Sequence, residues 1–198
     1  MAVGMAIGLV AGCSGSALDA DLLGSNADDG RVVSIGMGYP KEGVVSFSYP
    51  LVWNRSDSPL MLTGARPQET LGTIEVLGTL VGDGNREAHA ADVFRSFPND
   101  ESGVFPPSSL HPLEGYVMQP VDDPGSYPER DESSAVIIGM RIDADDLPAA
   151  VLGVCVSFEN ESGVSGEKCL EHQLVVCEDE ADCPIGPVLE DLRSDASE

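Results

Sequence analysis

The sequence predicts an all-β protein, built as an antiparallel β-sandwich. Three observations lead there. The 198 residues include 22 Gly and 14 Pro, which cut the chain into short pieces. Apolar residues alternate with polar ones over short runs, the period of a half-buried strand. Helical runs of 10–15 residues do not separate those strands, so repeated parallel βαβ units are excluded. A hydrophobic content of 42% is that of a packed domain, and 5% aromatic residues leave the core to Val, Leu, Ile and Met.

The elements follow in order. Residues 31–37 read as a first strand. Residues 43–53 are the clearest strand, with Val45, Phe47 and Tyr49 on one face, and Pro50 marks an edge or bulge because it has no N–H. A polar turn at 54–59 leads to a strand at 60–63, and another covers 71–81, closed by the turn residues 82–85. Residues 85–113 are irregular, with a short helical turn expected at 88–94. Short and long strands follow at 115–118 and 134–143, separated by a proline-rich acidic loop. A final hairpin is expected from 150–158 and 168–177. The total is about 7–9 strands. The expected domain limits are 1–12 for the remnant of a signal, 13–30 for a disordered acidic tether, 31–183 for the sandwich and 184–198 for an acidic tail with one helical turn near Val188.

Residues 1–12 are uncharged and apolar or small. They are too short to cross a bilayer, which takes about 20 residues, but suit the apolar part of a secretory signal. Val10-Ala11-Gly12-Cys13 resembles the lipobox of bacterial lipoproteins: an aliphatic residue, two small ones, then the cysteine. That resemblance implies acylation of the Cys13 thiol and anchoring of the chain to a membrane. Such signals open with Lys or Arg, whereas the first basic residue here is Arg31. A basic segment is therefore expected upstream of Met1.

Four cysteines remain beyond Cys13: Cys155, Cys169, Cys177 and Cys183. An even remainder in an exported chain points to two disulfides. Four cysteines allow three connectivities: a hairpin centred on Ser162 would set Cys155 opposite Cys169 and leave Cys177 and Cys183 to close an acidic loop, which is the favoured pairing, with Cys155 to Cys177 or to Cys183 as the alternatives. The spacing of Cys177 and Cys183 is not that of a zinc knuckle, so no zinc is expected.

The run from Phe47 to Leu62, in which a strand ends in Asn54, a small polar turn follows and Pro59 opens the next strand, resembles the hairpin of extracellular Ig-like sandwich domains. A late strand of the Gly153-Val-Cys-Val-Ser-Phe158 type looks like that of exported actinobacterial lipoproteins with such a domain. The resemblance implies an Ig-like topology and says almost nothing about activity.

Candidate chemistry is sparse. Asp143, Asp145 and Asp146 are the tightest internal carboxylate cluster and the one candidate for Ca²⁺, but an EF-hand starting at Asp143 would place Pro148 where Gly is needed and Val154 where Glu is needed. A solvated acidic turn is the simpler reading. The chain has one tryptophan, Trp53, where a sugar cleft needs several aromatic platforms, so Trp53 is expected in the core. His89, His111 and His172 lie in separate regions, and no Gly-x-Ser-x-Gly elbow accompanies them. Gly36-Met-Gly38 lacks the third glycine of a dinucleotide loop. Asn54-Arg-Ser56 and Asn160-Glu-Ser162 match the glycosylation sequon.

Charge completes the reading. With 34 Asp+Glu against 10 Lys+Arg the formal charge is −24, which excludes nucleic-acid binding and docking on anionic lipid through a basic patch. The acid is uneven: from Glu159 onward there are 12 acidic residues and 2 basic ones. The resulting expectation is an exported protein, lipid-anchored on the outer face of the cell membrane. It acts without a cofactor as a non-enzymatic interaction module for an envelope protein, with residues 86–128 as the candidate surface. A solute- or metal-binding lipoprotein and an envelope hydrolase are the alternatives. A deep pocket with converging polar groups would mark the first alternative, and a histidine within reach of a carboxylate in a cleft the second.

Overall fold

The computed structural model describes residues 17–28, 30, 32–48, 50–83, 93–98, 107–128 and 132–195. Among them the strands are β1 (Leu23–Ser25), β2 (Ser34–Gly38), β3 (Val44–Phe47), β4 (Leu51–Asn54), β5 (Leu60–Pro67), β6 (Thr70–Leu71), β7 (Ile74–Asp83), β8 (Val93–Phe94), β9 (Leu110–Pro112), β10 (Val117–Met118), β11 (Ser134–Ile142), β12 (Ala149–Val151), β13 (Val154–Asn160), β14 (Ser165–Leu170) and β15 (Gln173–Cys177). One α-helix, α1 (Ile185–Asp195), follows them. The segment 88–94, expected as a helical turn, contributes β8 at its end, and residues 88–92 lie outside the described set.

The first layer is a seven-stranded sheet ordered β1-β4-β11-β3-β8, with β7 on the other side of β11 and β9 beside β7. The strand expected over 43–53 is broken. β3 and β4 lie end to end along β11, and the register between them slips by one residue: Phe47 faces Ile138 while Leu51 faces Ala135. The slip falls where Pro50 interrupts the run, and the carbonyl of Pro50 still accepts the Val136 N–H.

The second layer consists of two four-stranded sheets, β10-β5-β13-β14 and β2-β15-β12-β6. They are two halves of one surface. β5 leads into β6, β12 into β13 and β14 into β15, and all three chains jog at the same level. Hydrogen bonds cross the jog, from Gln68 N–H to Gly153 O and from Leu152 N–H to Glu69 O, both within 3.0 Å. These jogs explain why fifteen described strands stand where about eight were expected: several strands are each cut in two. All the pairings are antiparallel except β2 with β15. The architecture is the antiparallel β-sandwich that the sequence predicts.

The layers meet over a core of Val, Leu, Ile, Met and two phenylalanines. Phe47, Val136, Ile138 and Met140 come from the first layer, and Leu62, Val156, Phe158 and Leu174 from the second, all at 1% exposure or less. Alternation carries the opposite faces outward. Leu51, Ala135 and Ile137 form a smaller cluster under Phe97, whose ring lies over Gly139 so closely that any side chain there would displace it. On the outer face of the second layer Ala150, Val175 and Cys177 are covered by Val188 and Leu189 of α1.

Two expected boundaries move. The stretch after Cys13, read as a tether through residue 30, belongs to the fold from Ala17 onward: Leu18 and Leu22 pack on the core, and Leu23 is fully buried in β1 against β4. The three leucines outweigh the acidic residues between them, because Asp19 and Asp21 face solvent around a short 3₁₀ turn capped by Asp19. The tail expected over 184–198 is a docked helix up to Asp195, since Val188 and Leu189 reach the sheet while Pro187 sits in the first turn, where its missing N–H costs nothing. Cys13, the rest of residues 1–16, and His89 lie outside the described residues.

Candidate functional site

The two ends of the sandwich differ. β13 and β14 meet at the turn 160–163, where Asn160 Oδ1 accepts the N–H groups of Ser162 and Val164 and Gly163 takes a φ of 73°. The same end carries the loop after β4. Asn54 is fully buried there and organises it, donating to the carbonyls of Ser58 and Met118 and accepting from the N–H and O–H of Ser56. As a sequon residue Asn54 is therefore closed to modification. At the other end, β12 begins and β15 finishes, next to the 3₁₀ turn Ala144–Asp146 and the loop between β15 and α1.

Both disulfides form, Cys155 with Cys169 and Cys177 with Cys183. The first joins residues that already face each other across the β13–β14 ladder, as the hairpin centred on Ser162 predicts. The second ties the end of β15 to the start of α1. Glu167 lies near the first pair, but both sulfurs are consumed in the disulfide and cannot act as thiolate ligands.

A groove of about 550 Å³ opens beside the second disulfide. Leu147, Pro148, Cys177 and Pro184 give it apolar walls, and Glu178, Asp179 and Asp182 line its rim. Nearby, Gly36 and Gly38 allow close packing onto β2, because Ile185 occupies the space a side chain on Gly36 would need and the Glu180 backbone that of Gly38.

The expected Ca²⁺ candidates are committed elsewhere. Asp143 accepts from the Asp145 N–H as the cap of its 3₁₀ turn, and Asp146 accepts from both the N–H and O–H of Thr73. They act as turn and loop clamps, and among the described residues these three do not converge as a ligand cluster.

The two described histidines, His111 and His172, lie in separate parts of the chain. His172, 1% exposed, is bonded to Asn26 Oδ1 at 2.8 Å. That oxygen also accepts the Leu51 N–H, so His172 Nε2 carries the proton and donates. The bond links the jog of the second layer to the first layer. His111 sits on β9 with its ring 5.8 Å from that of Tyr116.

Trp53 is in the core, 1% exposed, as expected. The Arg55 guanidinium lies 5.2 Å from its ring, and the Tyr127 ring 5.0 Å away. Gly24 is required beneath it, since the indole occupies the position of any side chain there. Next to this cluster Asp28 holds Arg55 and Lys168, each at 2.6 Å, and accepts from Ser25. Burial pushes the Asp28 carboxyl up, but the bonds from Lys168 and Ser25 prevail and hold it below the ordinary value. Sequence reasoning missed this cluster because Asp28 looked like one acid of a tether.

Fold and site together define a disulfide-stapled β-sandwich with a groove at one end. No family model and no curated protein sequence matches the chain. Among solved structures, a PapD-like domain of human CEP192 shares 11% identity over 92% of this chain and 99% of that one, with a TM-score of 0.33. The VesB protease of Vibrio cholerae shares 15% over 78% of this chain, at 0.30. A family 123 glycoside hydrolase from Clostridium perfringens shares 9% over 80%, at 0.32. The chain spans 32% and 26% of these two larger proteins. At such scores none of the three defines an activity for this chain.

Proposed function

We propose that the chain is an exported, lipid-anchored envelope protein whose β-sandwich is a non-catalytic interaction module. One observation carries the reading: the two disulfides consume Cys155, Cys169, Cys177 and Cys183, so Cys13 is the one cysteine left over. Disulfides of this kind persist in oxidising compartments outside the cytosol. The remaining thiol stands where the Val10-Ala11-Gly12-Cys13 run resembles a lipobox, four residues before the first described residue of the fold. A sandwich held by two covalent staples is a rigid carrier for loops, the usual place for recognition.

The test is acyl labelling in a bacterial host fed an alkyne-bearing fatty acid. Expressed with a short Lys/Arg-bearing segment ahead of Met1, the wild-type chain is expected to label and to sediment with membranes. Cys13→Ala is expected to do neither while keeping both disulfides in a non-reducing peptide map. Equal labelling of the two chains would overturn the anchor.

A further inference from the structure

The chain enters the fold at one end only. The Leu18 N–H donates to the Ser165 carbonyl at 2.8 Å, at the first residue of β14, just past the turn 160–163. Leu18 also packs against Gly166, and the Arg55 N–H donates to the Leu22 carbonyl, which fixes the entering segment beside the loop after β4. Ala17 is four residues beyond Cys13. A fully extended chain gains at most about 3.6 Å per residue, so Cys13 lies no further than about 14 Å from Ala17. The groove lies at the opposite end. From Ser165 through β14 and β15 to Cys177 the chain climbs roughly 35 Å, at about 3.3 Å per residue less the jog.

We infer that an acyl group on Cys13 seats the domain on its hairpin end, so that the turn 160–163 and the loop after β4 face the lipid surface and the groove beside Cys177–Cys183 points away from it. The inference rests on the lipid anchor proposed above. The leash is shorter than the sandwich is tall, so the domain cannot invert without dragging its entry point off the membrane. Charge does not hold the end there. Its exposed ionisable groups include Asp19, Asp21, Asp57 and Glu161, whose charge is repelled by anionic headgroups, so the acyl group and its short leash alone hold this end at the surface. The far end, with its groove, is thereby held away from the lipid surface.

Orientation can be read apart from acylation. The chain from Cys13 to Glu198, with both disulfides formed, is coupled through the Cys13 thiol to a maleimide-headgroup lipid in phosphatidylcholine nanodiscs. A nitroxide-headgroup lipid then broadens nearby amide signals in the NMR spectrum. The amides of Asp57, Glu161, Ser162 and Gly163 are expected to broaden several-fold more than those of Ala181 and Asp182. Equal broadening at both ends, or stronger broadening at Ala181 and Asp182, overturns the inference. A long Gly-Ser insertion between Ser16 and Ala17 is expected to erase most of the difference, and a difference that survived it would overturn the leash as its cause. Because the coupling is chemical, these outcomes do not depend on whether a cell acylates Cys13, which the labelling experiment decides separately.

Discussion

The two disulfides occupy the two halves of one bent surface, and they act on different things. Cys155 and Cys169 are partners in an antiparallel ladder that runs from Val154↔Leu170 to Glu159↔Ser165, so their bond repeats what the backbone already fixes. Cys177 and Cys183 join a strand to a helix whose described side chains reach the sheet through Ile185, Val188 and Leu189. A covalent link adds most order where non-covalent pairing is thinnest. The hairpin half should therefore be limited by its core and the helix half by its staple.

The sharpest way to break that contrast is the core of the hairpin half. Phe158→Ala empties a fully buried site and is expected to cost about 3–5 kcal/mol, read from urea unfolding. A loss below about 1 kcal/mol would mean that the staple, not the core, holds the hairpin. Next comes removal of the first disulfide. Replacing Cys155 and Cys169 by Ala should cost about 3 kcal/mol, the chain-entropy value for a loop of this length, while amide exchange in β13 and β14 stays protected. Replacing Cys177 and Cys183 should cost about 2 kcal/mol, the value for a loop of six, but with fast amide exchange confined to α1 and the loop before it. Unfolding of the hairpin in that variant would collapse the distinction.

Two smaller effects sharpen the picture at the entry of the chain and on the open face. The Asp28 carboxyl is held below its ordinary value in the folded state. Its contribution is therefore full above about pH 4, the unfolded value, and is lost as pH falls through the lower folded value. Asp28→Asn should cost about 1–2 kcal/mol at pH 7, with wild type and variant converging in acid unfolding curves. Arg66 pairs with Glu167 at 2.9 Å, but the two side chains are 56% and 39% exposed. Arg66→Ala should move stability by less than about 0.5 kcal/mol, and that remainder should vanish in high salt.

Some of this was legible along the chain. The hairpin at 160–163 announces itself by turn residues between alternating strands, and with it the first disulfide. Once that pair is assigned, the second follows from the even count. The fate of Asp28 was not legible. Its partners Arg55 and Lys168 are distant in sequence, and an acid flanked by Asp29 and Gly30 has the local signature of a linker. The helix α1 was underestimated for a similar reason: Gly186 and Pro187 weaken the local signal, and only the apolar surface offered by Ala150, Val175 and Cys177 makes the segment worth ordering. The groove could not be foreseen either, because Leu147 and Asp182 share no pattern.

The sequence by itself determined the class of fold, that four of the five cysteines would pair and the sign of the surface charge, because alternation, turn chemistry and composition are local or additive properties. Only the tertiary structure decided where the fold begins, how the second layer bends, that Asp143 and Asp146 clamp turns, and that the chain enters at the end opposite the groove. Those depend on which distant residues become neighbours, and that is set by the packing of two sheets rather than by any run of residues.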